Sequence, residues 1–340
     1  MQIGFGIIGC GAVGAWHCIA AQAAPSAALV GVADAFPASA QKFSERFGVP
    51  AYATVDNMLR DPKIQCVSIC TPSGLHADLA VRAAEAGKHI LVEKPMALTV
   101  EDADRIIEAG DRCGVKIGVV FQARTKDSTR ILKELVDSGR LGRMITADCF
   151  MKYYRSPEYY LQGGWRGTWK MDGGGALMNQ GIHSVDLLQY LAGPVKSVYG
   201  IARTLARKIE VEDTVVAALE FKSGALGLIQ ATTAIHPGYP RRLSISGTDG
   251  TVTISDDYFA EWDIRDYPKP DEIELGVPED NGASDPMNFG TAGHEAHVED
   301  MADAILNDHD PMVTAREGRK AVEIIRAVYE SSQTGRRIDF

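Results

Sequence analysis

The stretch Gly9-Cys10-Gly11-Ala12-Val13-Gly14 decides how the first part of the chain folds. It follows an apolar run at 2–8 that predicts a strand, and it opens a helical run at 11–24 that Pro25 ends. A second apolar run at 28–33 ends at Asp34, 20 residues after Gly14. Glycine spacing, strand, helix and acid together indicate a dinucleotide-binding βαβ unit, which a glycine-rich turn alone would not.

Each glycine of this turn has a physical role in such a unit. Gly9 permits the tight turn, Gly11 lets the backbone approach a pyrophosphate, and Gly14 lets helix and sheet pack closely. The amide groups and the positive dipole end of the helix then face the phosphates. We therefore expect all six residues of the turn to bind a cofactor.

Asp34 predicts which dinucleotide is bound. A carboxylate at this position accepts hydrogen bonds from the adenosine ribose hydroxyls and repels a 2′-phosphate. The following residues, Ala35-Phe36-Pro37, supply no Arg or Lys to receive that phosphate. NAD is therefore expected as the cofactor and preferred over NADP; the alternative is a solvated Asp at a strand end.

Strands and helical runs continue to alternate up to residue 121. Strands are expected at 66–70, 89–92 and 115–121, and helices at 38–47, 75–86 and after Thr99. Such alternation predicts a parallel, doubly wound sheet. The fold class is therefore α/β, with an N-terminal Rossmann dinucleotide-binding domain at 1–121.

The pattern changes after residue 121. β-rich runs with tight glycine turns, such as 222–224 and 248–250, surround one helical run at 176–191. Short connections predict mostly antiparallel pairing. Residues 122–340 are therefore expected to form a C-terminal α+β domain with a large, open, mostly antiparallel sheet. The stretch 266–290 is rich in Pro, Asp and Gly and indicates a long loop.

Polar side chains follow the strands of the first domain, at the edge where open parallel sheets bind ligands. His76 either lines the nicotinamide end of the site or caps the helix that follows it. Lys94 either polarises a substrate hydroxyl or is a surface charge. The residues expected to contact the cofactor here are Thr71, Pro72, Ser73, His76, Glu93, Lys94 and Gln122.

A second set of polar residues follows the triple glycine 173–175. Asn179, His183 and Asp186 are spaced by four and three residues, which places them on one face of an α-helix. A His flanked by polar groups suits a general base whose tautomer is fixed by a neighbour. The alternative is a structural histidine.

Aromatic residues and arginines cluster just before this helix. Aromatic planes and hydroxyls suit a sugar ring, and Arg suits a carboxylate or phosphate. The alternatives are an aromatic loop at a subunit interface and arginines that bind the NAD pyrophosphate. The cluster comprises Tyr153, Tyr154, Arg155, Tyr159, Tyr160, Trp165 and Arg166.

Together these motifs resemble the Gfo/Idh/MocA oxidoreductases, the relatives of glucose-fructose oxidoreductase and inositol dehydrogenase. The resemblance covers nearly the whole chain and includes the ending, with 294–305, Pro311 and a last helix closing near Gly335. It implies that Lys94 and His183 are catalytic, and that the C-terminal domain at 122–340 binds substrate and mediates oligomerisation. Asn179 stands where inositol dehydrogenase-like members have Asp, and since Asn cannot exchange protons it is expected to orient substrate instead.

Residues 165–169 together with Asn179-Gln180 resemble members that act on UDP-sugar acids, the UDP-N-acetylglucosaminuronate 3-dehydrogenases. The expected function is hydride transfer between a sugar, cyclitol or sugar-derivative hydroxyl and NAD, with that hydroxyl between Lys94 and His183. The alternatives are a redox-neutral, NAD-retaining glycosidase-like enzyme and a non-catalytic NAD-binding sensor. The expected substrate-binding residues are Tyr154, Arg155, Trp165, Arg166, Asn179, His183 and His294.

Composition excludes several other classes of function. The 340 residues carry a formal net charge of −10, which argues against partners such as nucleic acid or an anionic membrane surface. There is no apolar run of 18 residues, no positive signal-peptide start, and no Cys/His spacing typical of zinc. Six cysteines without a CxxC pattern indicate reduced thiols. We expect no metal, a cytoplasmic location and, from the family resemblance, a homodimer or homotetramer.

Overall fold

The computed structural model describes residues 1–161, 164–276, 283 and 290–340. The chain divides into two compact units, the first formed by Met1–Gln122 with Gly290–Arg319 and the second by Ala123–Phe289 with Lys320–Phe340. All six cysteines are free thiols, as predicted. Among the helices of the described ranges, none is both long and apolar enough to cross a membrane.

The first unit is built on a six-stranded parallel sheet in the order β3-β2-β1-β4-β5-β6. This is the strand order of the Rossmann fold, and it confirms the predicted doubly wound sheet. The strands are β1 (Ile3–Ile8), β2 (Ala27–Ala33), β3 (Ala51–Tyr52), β4 (Cys66–Ile69), β5 (His89–Val92) and β6 (Ile117–Val119). The helices between them are α1 (Ala12–Ala23), α2 (Pro37–Phe47), α3 (Val55–Leu59), α4 (His76–Glu85) and α5 (Val100–Cys113).

A late segment of the chain belongs to this first unit. Helix α9 (Ala292–Asn307) packs Val298 and Met301 into the same core cluster as Phe5 of β1 and Leu91 of β5. Residues 290–319 were predicted to belong to the C-terminal domain, but they lie in the first unit. The physical reason is that the apolar face of α9 completes the core of the parallel sheet.

The second unit is built on an eight-stranded sheet in the order β13-β12-β11-β7-β10-β9-β8-β14. Its pairs are antiparallel except for β10 with β7, so the prediction of a mostly antiparallel sheet is confirmed. The strands are β7 (Met144–Lys152), β8 (Val195–Arg203), β9 (Thr214–Phe221), β10 (Leu226–Thr232), β11 (Arg242–Gly247), β12 (Gly250–Ser255), β13 (Tyr258–Ile264) and β14 (Ile338–Asp339).

The second unit also contains α-helices, one of which carries His183. They are α6 (Asp127–Asp137), α7 (Pro157–Leu161), α8 (Ile182–Ala192) and the greater part of α10 (Ala315–Thr334). A π-helical turn at Ala176–Gly181 precedes α8, so the run predicted as one α-helix has two parts. Within the second unit, the sequence prediction did not include β13, β14 or α7. Of the loop predicted at 266–290, residues 277–282 and 284–289 lie outside the described residues.

Candidate active site

The glycine-rich turn between β1 and α1 depends on two of its glycines for steric reasons. Gly9 has a φ of 104°, and a Cβ there would lie 2.8 Å from the carbonyl carbon and oxygen of Cys70. A Cβ on Gly14 would lie only 2.0 Å from the carbonyl oxygen of Gly9. Helix α1 therefore packs directly on the turn, as the prediction for Gly14 required.

The N-terminus of α1 fits the pyrophosphate of a dinucleotide. Gly11 is the N-cap residue, no side chain caps the helix, and its first turn contains no acidic residue. A Cβ on Gly11 would meet no atom within 4 Å, so open space adjoins this end of the helix. The first-turn amides of an uncapped helix and its positive dipole end attract an anion.

Asp34 follows β2 directly and ends beside the glycine-rich turn. Its Oδ2 accepts a hydrogen bond from the amide of Cys10 at 2.7 Å, and its Oδ1 accepts one from the amide of Phe36 at 2.8 Å. A carboxylate has about four lone-pair sites, so both oxygens retain capacity for ribose hydroxyls. The side chain is half-buried, and its position suits the role predicted from the sequence.

The loop after β4 is braced by His76. The buried His76 ring places Nδ1 2.8 Å from the carbonyl oxygen of Pro95 and Nε2 2.9 Å from that of Thr71. Burial lowers the pKa of His76. Its ring therefore joins the two predicted cofactor loops, which neither of the two roles considered for it had included. Thr71 Oγ1 is buried and has no hydrogen-bond partner among the described residues, which suits contact with a bound cofactor.

Glu93 and His294 lie together inside the first unit. Glu93 Oε1 is 2.9 Å from Nε2 of His17 and 3.2 Å from Nε2 of His294, and all three residues are buried. Burial favours a higher pKa for Glu93, but the two histidines hold that pKa well below its usual range. Glu93 Oε2 accepts a hydrogen bond from the amide of Lys94 at 3.2 Å. This network fixes the backbone that carries Lys94; direct contact of Glu93 and His294 with ligands stays a prediction.

The same three side chains form a set of donors that metals can use. Their ligand atoms lie within 4.8 Å of one another. The Nδ1 atoms of His17 and His294, however, have no partner among the described residues. Their Nε2 atoms, in contrast, both lie within hydrogen-bonding distance of Glu93 Oε1. A hydrogen-bonded cluster accounts for the geometry without an ion.

Gln122 follows β6 in a short 3₁₀ turn of residues Gln122–Thr125. Gly293 lies against it, because a Cβ on Gly293 would be 2.5 Å from the Cβ of Gln122. The close approach of these two segments sets where Gln122 lies at the end of the strand. Its predicted contact with the cofactor stays a prediction.

In the second unit, the triple glycine is held by two distant side chains. Glu212 accepts hydrogen bonds from the amides of Gly175 at 2.9 Å and Leu177 at 2.8 Å, and from the hydroxyl of Tyr329 at 2.8 Å. A Cβ on Gly174 would lie 2.2 Å from that hydroxyl. Glu212 and Tyr329 are both buried, so they fix the start of the segment that carries Asn179 and His183.

The predicted trio Asn179, His183 and Asp186 is divided in the structure. Asn179 lies in the π-helical turn and donates a hydrogen bond to the buried carboxylate of Asp172. His183 is half-buried in the first turn of α8. Asp186 is buried, and its two oxygens accept hydrogen bonds from Arg124 at 2.8 and 2.6 Å. The carboxylate of Asp186 therefore neutralises a buried guanidinium, a use that the helix-face argument did not include.

The structure brings several residues of the aromatic cluster into contact with one another. Arg155 lies 5.3 Å from the Tyr153 ring centroid, and Arg166 lies 4.7 Å from that of Tyr159 and 5.0 Å from that of Trp165. Burial raises the pKa of Tyr159, so its hydroxyl stays protonated. The cluster combines hydroxyl groups, ring faces and positive charge, which suits a sugar with an anionic group.

The two predicted arginines differ in how their donors are used. Arg155 is 2% exposed and donates to Gln180 Oε1 at 3.1 and 2.8 Å, to Tyr154 O at 2.9 Å and to Ala283 O at 2.8 Å. A guanidinium has five N–H donors, so these four contacts leave Arg155 little capacity for a ligand. Arg166 is half-buried among the aromatic rings, which makes it the better candidate for an anion.

Three residues of this region were missed by sequence reasoning: Asp172, Glu212 and Arg207. Arg207 lies over the Tyr154 ring at 5.2 Å and donates from Nε to the carbonyl oxygen of Arg155 at 3.0 Å. Its Nη2 atom is buried with no hydrogen-bond partner among the described residues. Only Asp172 carried a signal in the sequence, because it stands directly before the triple glycine.

Two family models match the chain. A model of the oxidoreductase family with an NAD-binding Rossmann fold matches residues 3–121. A model of the GFO/IDH/MocA C-terminal domain matches residues 129–253. Between them they include the glycine-rich turn, Lys94 and His183.

Similar proteins are known among curated sequences and solved structures. The chain is 26% identical to myo-inositol 2-dehydrogenase of Thermotoga maritima over 98% of its own length and 97% of that protein. The crystal structure of the WlbA dehydrogenase from Bordetella pertussis with NADH and UDP-GlcNAcA has 35% identity and a TM-score of 0.90, covering 100% of this chain and 98% of that one. A levoglucosan dehydrogenase with NADH and levoglucosan has 25% identity and a TM-score of 0.87, covering 100% and 99%.

Proposed function

The chain belongs to the Gfo/Idh/MocA family of oxidoreductases, and we propose that it is an NAD-dependent dehydrogenase of a nucleotide-linked sugar acid. Members of this family oxidise sugars and cyclitols with a nicotinamide cofactor. The observation that carries the proposal is Arg166, held against Tyr159 and Trp165 in the unit that also carries His183. The choice of an acidic sugar is supported by that positive charge.

The preference for NAD over NADP is supported by Asp34. Its carboxylate ends beside the glycine-rich turn, where it accepts the amide hydrogen of Cys10. An ionised carboxylate there favours the two ribose hydroxyls of NAD and repels the 2′-phosphate of NADP.

Lys94 and His183 are proposed to act on the same substrate hydroxyl. When bound, NAD supplies the nicotinamide carbon that accepts a hydride. His183 takes the hydroxyl proton as a general base, and the Lys94 ammonium stabilises the developing alkoxide. Asn179 orients the substrate through its amide, because it cannot itself exchange a proton.

The substrate class is supported by a structural neighbour and by charge. The WlbA structure with 35% identity contains UDP-GlcNAcA, a sugar that carries both a carboxylate and a diphosphate. Arg166 and Arg207 supply cationic groups in the aromatic cluster of this chain. A sugar acid would present a negative group to these cations, whereas levoglucosan or a cyclitol carries none.

Self-association is proposed to occur through the outer face of the eight-stranded sheet. Tyr199, Ile201, Val216 and Leu226 project from β8, β9 and β10 with exposures of 46%, 49%, 42% and 60%. On the opposite side of β8, the amide of Gly200 donates to Ser331 of α10 at 2.9 Å. A row of exposed apolar side chains on one face indicates a surface that a second copy covers. Light scattering of the purified protein tests this, and a monomer would contradict it.

A substrate screen tests the proposed activity. The purified protein is incubated with NAD and a panel of sugars, cyclitols, sugar acids and UDP-sugars, and NADH is followed by absorbance. NADH formation with a UDP-sugar acid, at higher kcat/KM than with its neutral parent, is expected. Tightly copurifying NAD without net NADH would favour a redox-neutral enzyme. NAD binding with no chemistry on any sugar would favour a sensor.

A further inference from the structure

Four polar side chains of the second unit form one continuous hydrogen-bonded chain. Arg155 donates from Nε and Nη2 to Gln180 Oε1 at 3.1 and 2.8 Å. Gln180 Nε2 donates to Asn179 Oδ1 at 2.5 Å. Asn179 Nδ2 donates in turn to Asp172 Oδ1, and Asp172 Oδ2 accepts the amide hydrogen of Gly167 at 2.8 Å.

The end of this chain at Arg155 fixes the direction of every bond in it. A guanidinium only donates, so it must face the carbonyl oxygen of Gln180 and not its amide nitrogen. The amide nitrogen of Gln180 then donates to Asn179, which must accept through its side-chain oxygen. The Asn179 nitrogen is consequently directed at Asp172, which must accept.

In this hydrogen-bonded chain the charged residue, Asp172, is less accessible than the neutral residue, Asn179. Asp172 is 2% exposed, whereas Asn179 is half-buried. The acceptor at the end of the chain is therefore held behind a neutral amide. If residue 179 were an acid, its carboxylate would lie against that of Asp172, and their repulsion would raise the pKa of one of the two.

We propose that Asp172 is a positioning residue that fixes the Asn179 amide, and that this pair favours anionic substrates by keeping the carboxylate at 172 and not at 179. The inference rests on the proposed function, because it assigns a substrate preference to the same site. Its physical content is that an amide at residue 179 does not repel a sugar carboxylate, whereas a carboxylate there does.

Exchanging the two residues tests this pair directly. Asn179→Asp places two acceptors together, and Asp172→Asn leaves one acceptor where Asn179 and the Gly167 amide both donate. The double variant Asp172→Asn/Asn179→Asp restores one donor and one acceptor. In the double variant, residue 172 can still accept from Gly167 and residue 179 can still accept from Gln180. Asn307→Asp is the matched control, because Asn307 also donates to an aspartate, Asp303 at 2.6 Å, but on an exposed helix end.

The kinetic expectation concerns a sugar acid and its neutral parent. Asn179→Asp should raise KM for the acid by roughly tenfold or more, and the loss should shrink towards about pH 5 as the carboxyl pair takes up a proton. The double variant should recover roughly tenfold in kcat/KM over Asn179→Asp on the neutral sugar, while its KM for the acid stays high. A KM of Asn179→Asp for the acid that does not change with pH would overturn the proposal. A double variant whose kcat/KM on the neutral sugar is no higher than that of Asn179→Asp would also overturn it.

Thermal unfolding separates failure of this proposal from failure of the proposed function. Asn179→Asp should lower Tm by roughly 3–8 °C, the double variant should regain part of that loss, and Asn307→Asp should shift Tm by about 1 °C at most. These shifts need no substrate. If the screen finds no dehydrogenase activity but the Tm values follow this pattern, the pair is upheld and the substrate preference is lost. If the Tm values of Asn179→Asp and the control agree, the pair itself is refuted.

Discussion

Asp34 Oδ2 accepts a hydrogen bond from the amide of Cys10 at 2.7 Å, which ties the end of β2 to the glycine-rich turn. The same carboxylate accepts the amide hydrogen of Phe36 through its other oxygen. Asp34 therefore shapes the turn as well as offering lone pairs to a ribose. We therefore expect changes at this residue to act on cofactor choice and on the shape of the turn together.

Asp34→Ala should weaken NAD binding and narrow its advantage over NADP. The substitution removes the ribose acceptor and the repulsion of a 2′-phosphate, so NAD loses roughly ten- to a hundredfold in Kd while NADP loses less. Titration calorimetry with both cofactors measures the ratio. Asp78→Ala, which removes a carboxylate from the exposed side of α4, is the control. Equal affinity for the two cofactors in the unsubstituted protein would contradict the assignment.

His183→Ala and Lys94→Ala should abolish most of the chemistry. His183→Ala leaves NAD affinity nearly unchanged, because the cofactor phosphates are held by the first unit. Hydride transfer should fall by roughly 10²–10⁴, the usual contribution of a positioned acid–base group, and Lys94→Ala should cost at least as much. Single-turnover NADH formation measures the rate. The exposed His309 and Lys42 give matched alanine controls, and near-normal turnover in both site variants would refute the roles.

The cofactor half of the site could be predicted from the sequence because its geometry is local. The turn, Asp34 and the residues after β4 and β5 each follow from a strand end and the residues next to it. The helical run at 176–191, which carries His183, could be predicted only in part. Its first turn is π-helical, with the amide of Gln180 donating to the carbonyl oxygen of Gly175 at 3.4 Å, and no α-helical spacing encodes that.

The partners of the buried acids could not be predicted, because they are distant in sequence. Asp186 pairs with Arg124, 62 residues away, and Glu212 with Tyr329, 117 residues away. Spacing along one helix reports which side chains share a face, but not what the rest of the fold places opposite them. The same limit applied to residues 290–319, whose place in the first unit is decided by the core that α9 completes.

Acid should destabilise the first unit through its buried histidines. Burial lowers the pKa of His297 to about 4, and the amide of Phe121 donates to its Nε2 at 3.1 Å, which a protonated ring could not accept. Between an unfolded pKa of 6.5 and this value the unfolded chain binds more protons, so stability falls as pH falls. The loss reaches about 3 kcal/mol by pH 4 for this one residue. Burial shifts the pKa of His17 and His76 in the same direction.

His297→Gln should flatten this dependence by about one proton, since glutamine keeps an acceptor for the Phe121 amide but does not titrate. Denaturant unfolding across this pH range measures the slope. His309 is the contrasting control, because its pKa is raised by the Asp310 carbonyl and by Asp303. The stability that its protonated ring contributes is therefore present at low pH and is lost as pH rises. An unchanged slope in His297→Gln would contradict the assignment.

Arg166 and Arg155 should differ in how their loss affects substrates. Arg166 lies over the rings of Tyr159 and Trp165, and if it pairs with a substrate carboxylate or phosphate, each charge-assisted hydrogen bond contributes about 1.5–3 kcal/mol. Arg166→Ala should then raise KM for a sugar acid by roughly ten- to a hundredfold and barely change that of the neutral parent. Arg166→Lys keeps the charge but not the planar fork. Its KM for the sugar acid should therefore lie between those of the unsubstituted protein and Arg166→Ala.

Arg155→Ala should instead impair both substrates equally and lower Tm. Its donors are directed at Gln180 and at the carbonyl oxygens of Tyr154 and Ala283, so the substitution removes one donor from each of these acceptors. Parallel KM measurements on the acid and its neutral parent, with Tm recorded for each variant, distinguish the two arginines. A uniform loss across both substrates in Arg166→Ala would show that this arginine also supports the fold, the cofactor or a subunit contact, and that the anionic group is bound elsewhere.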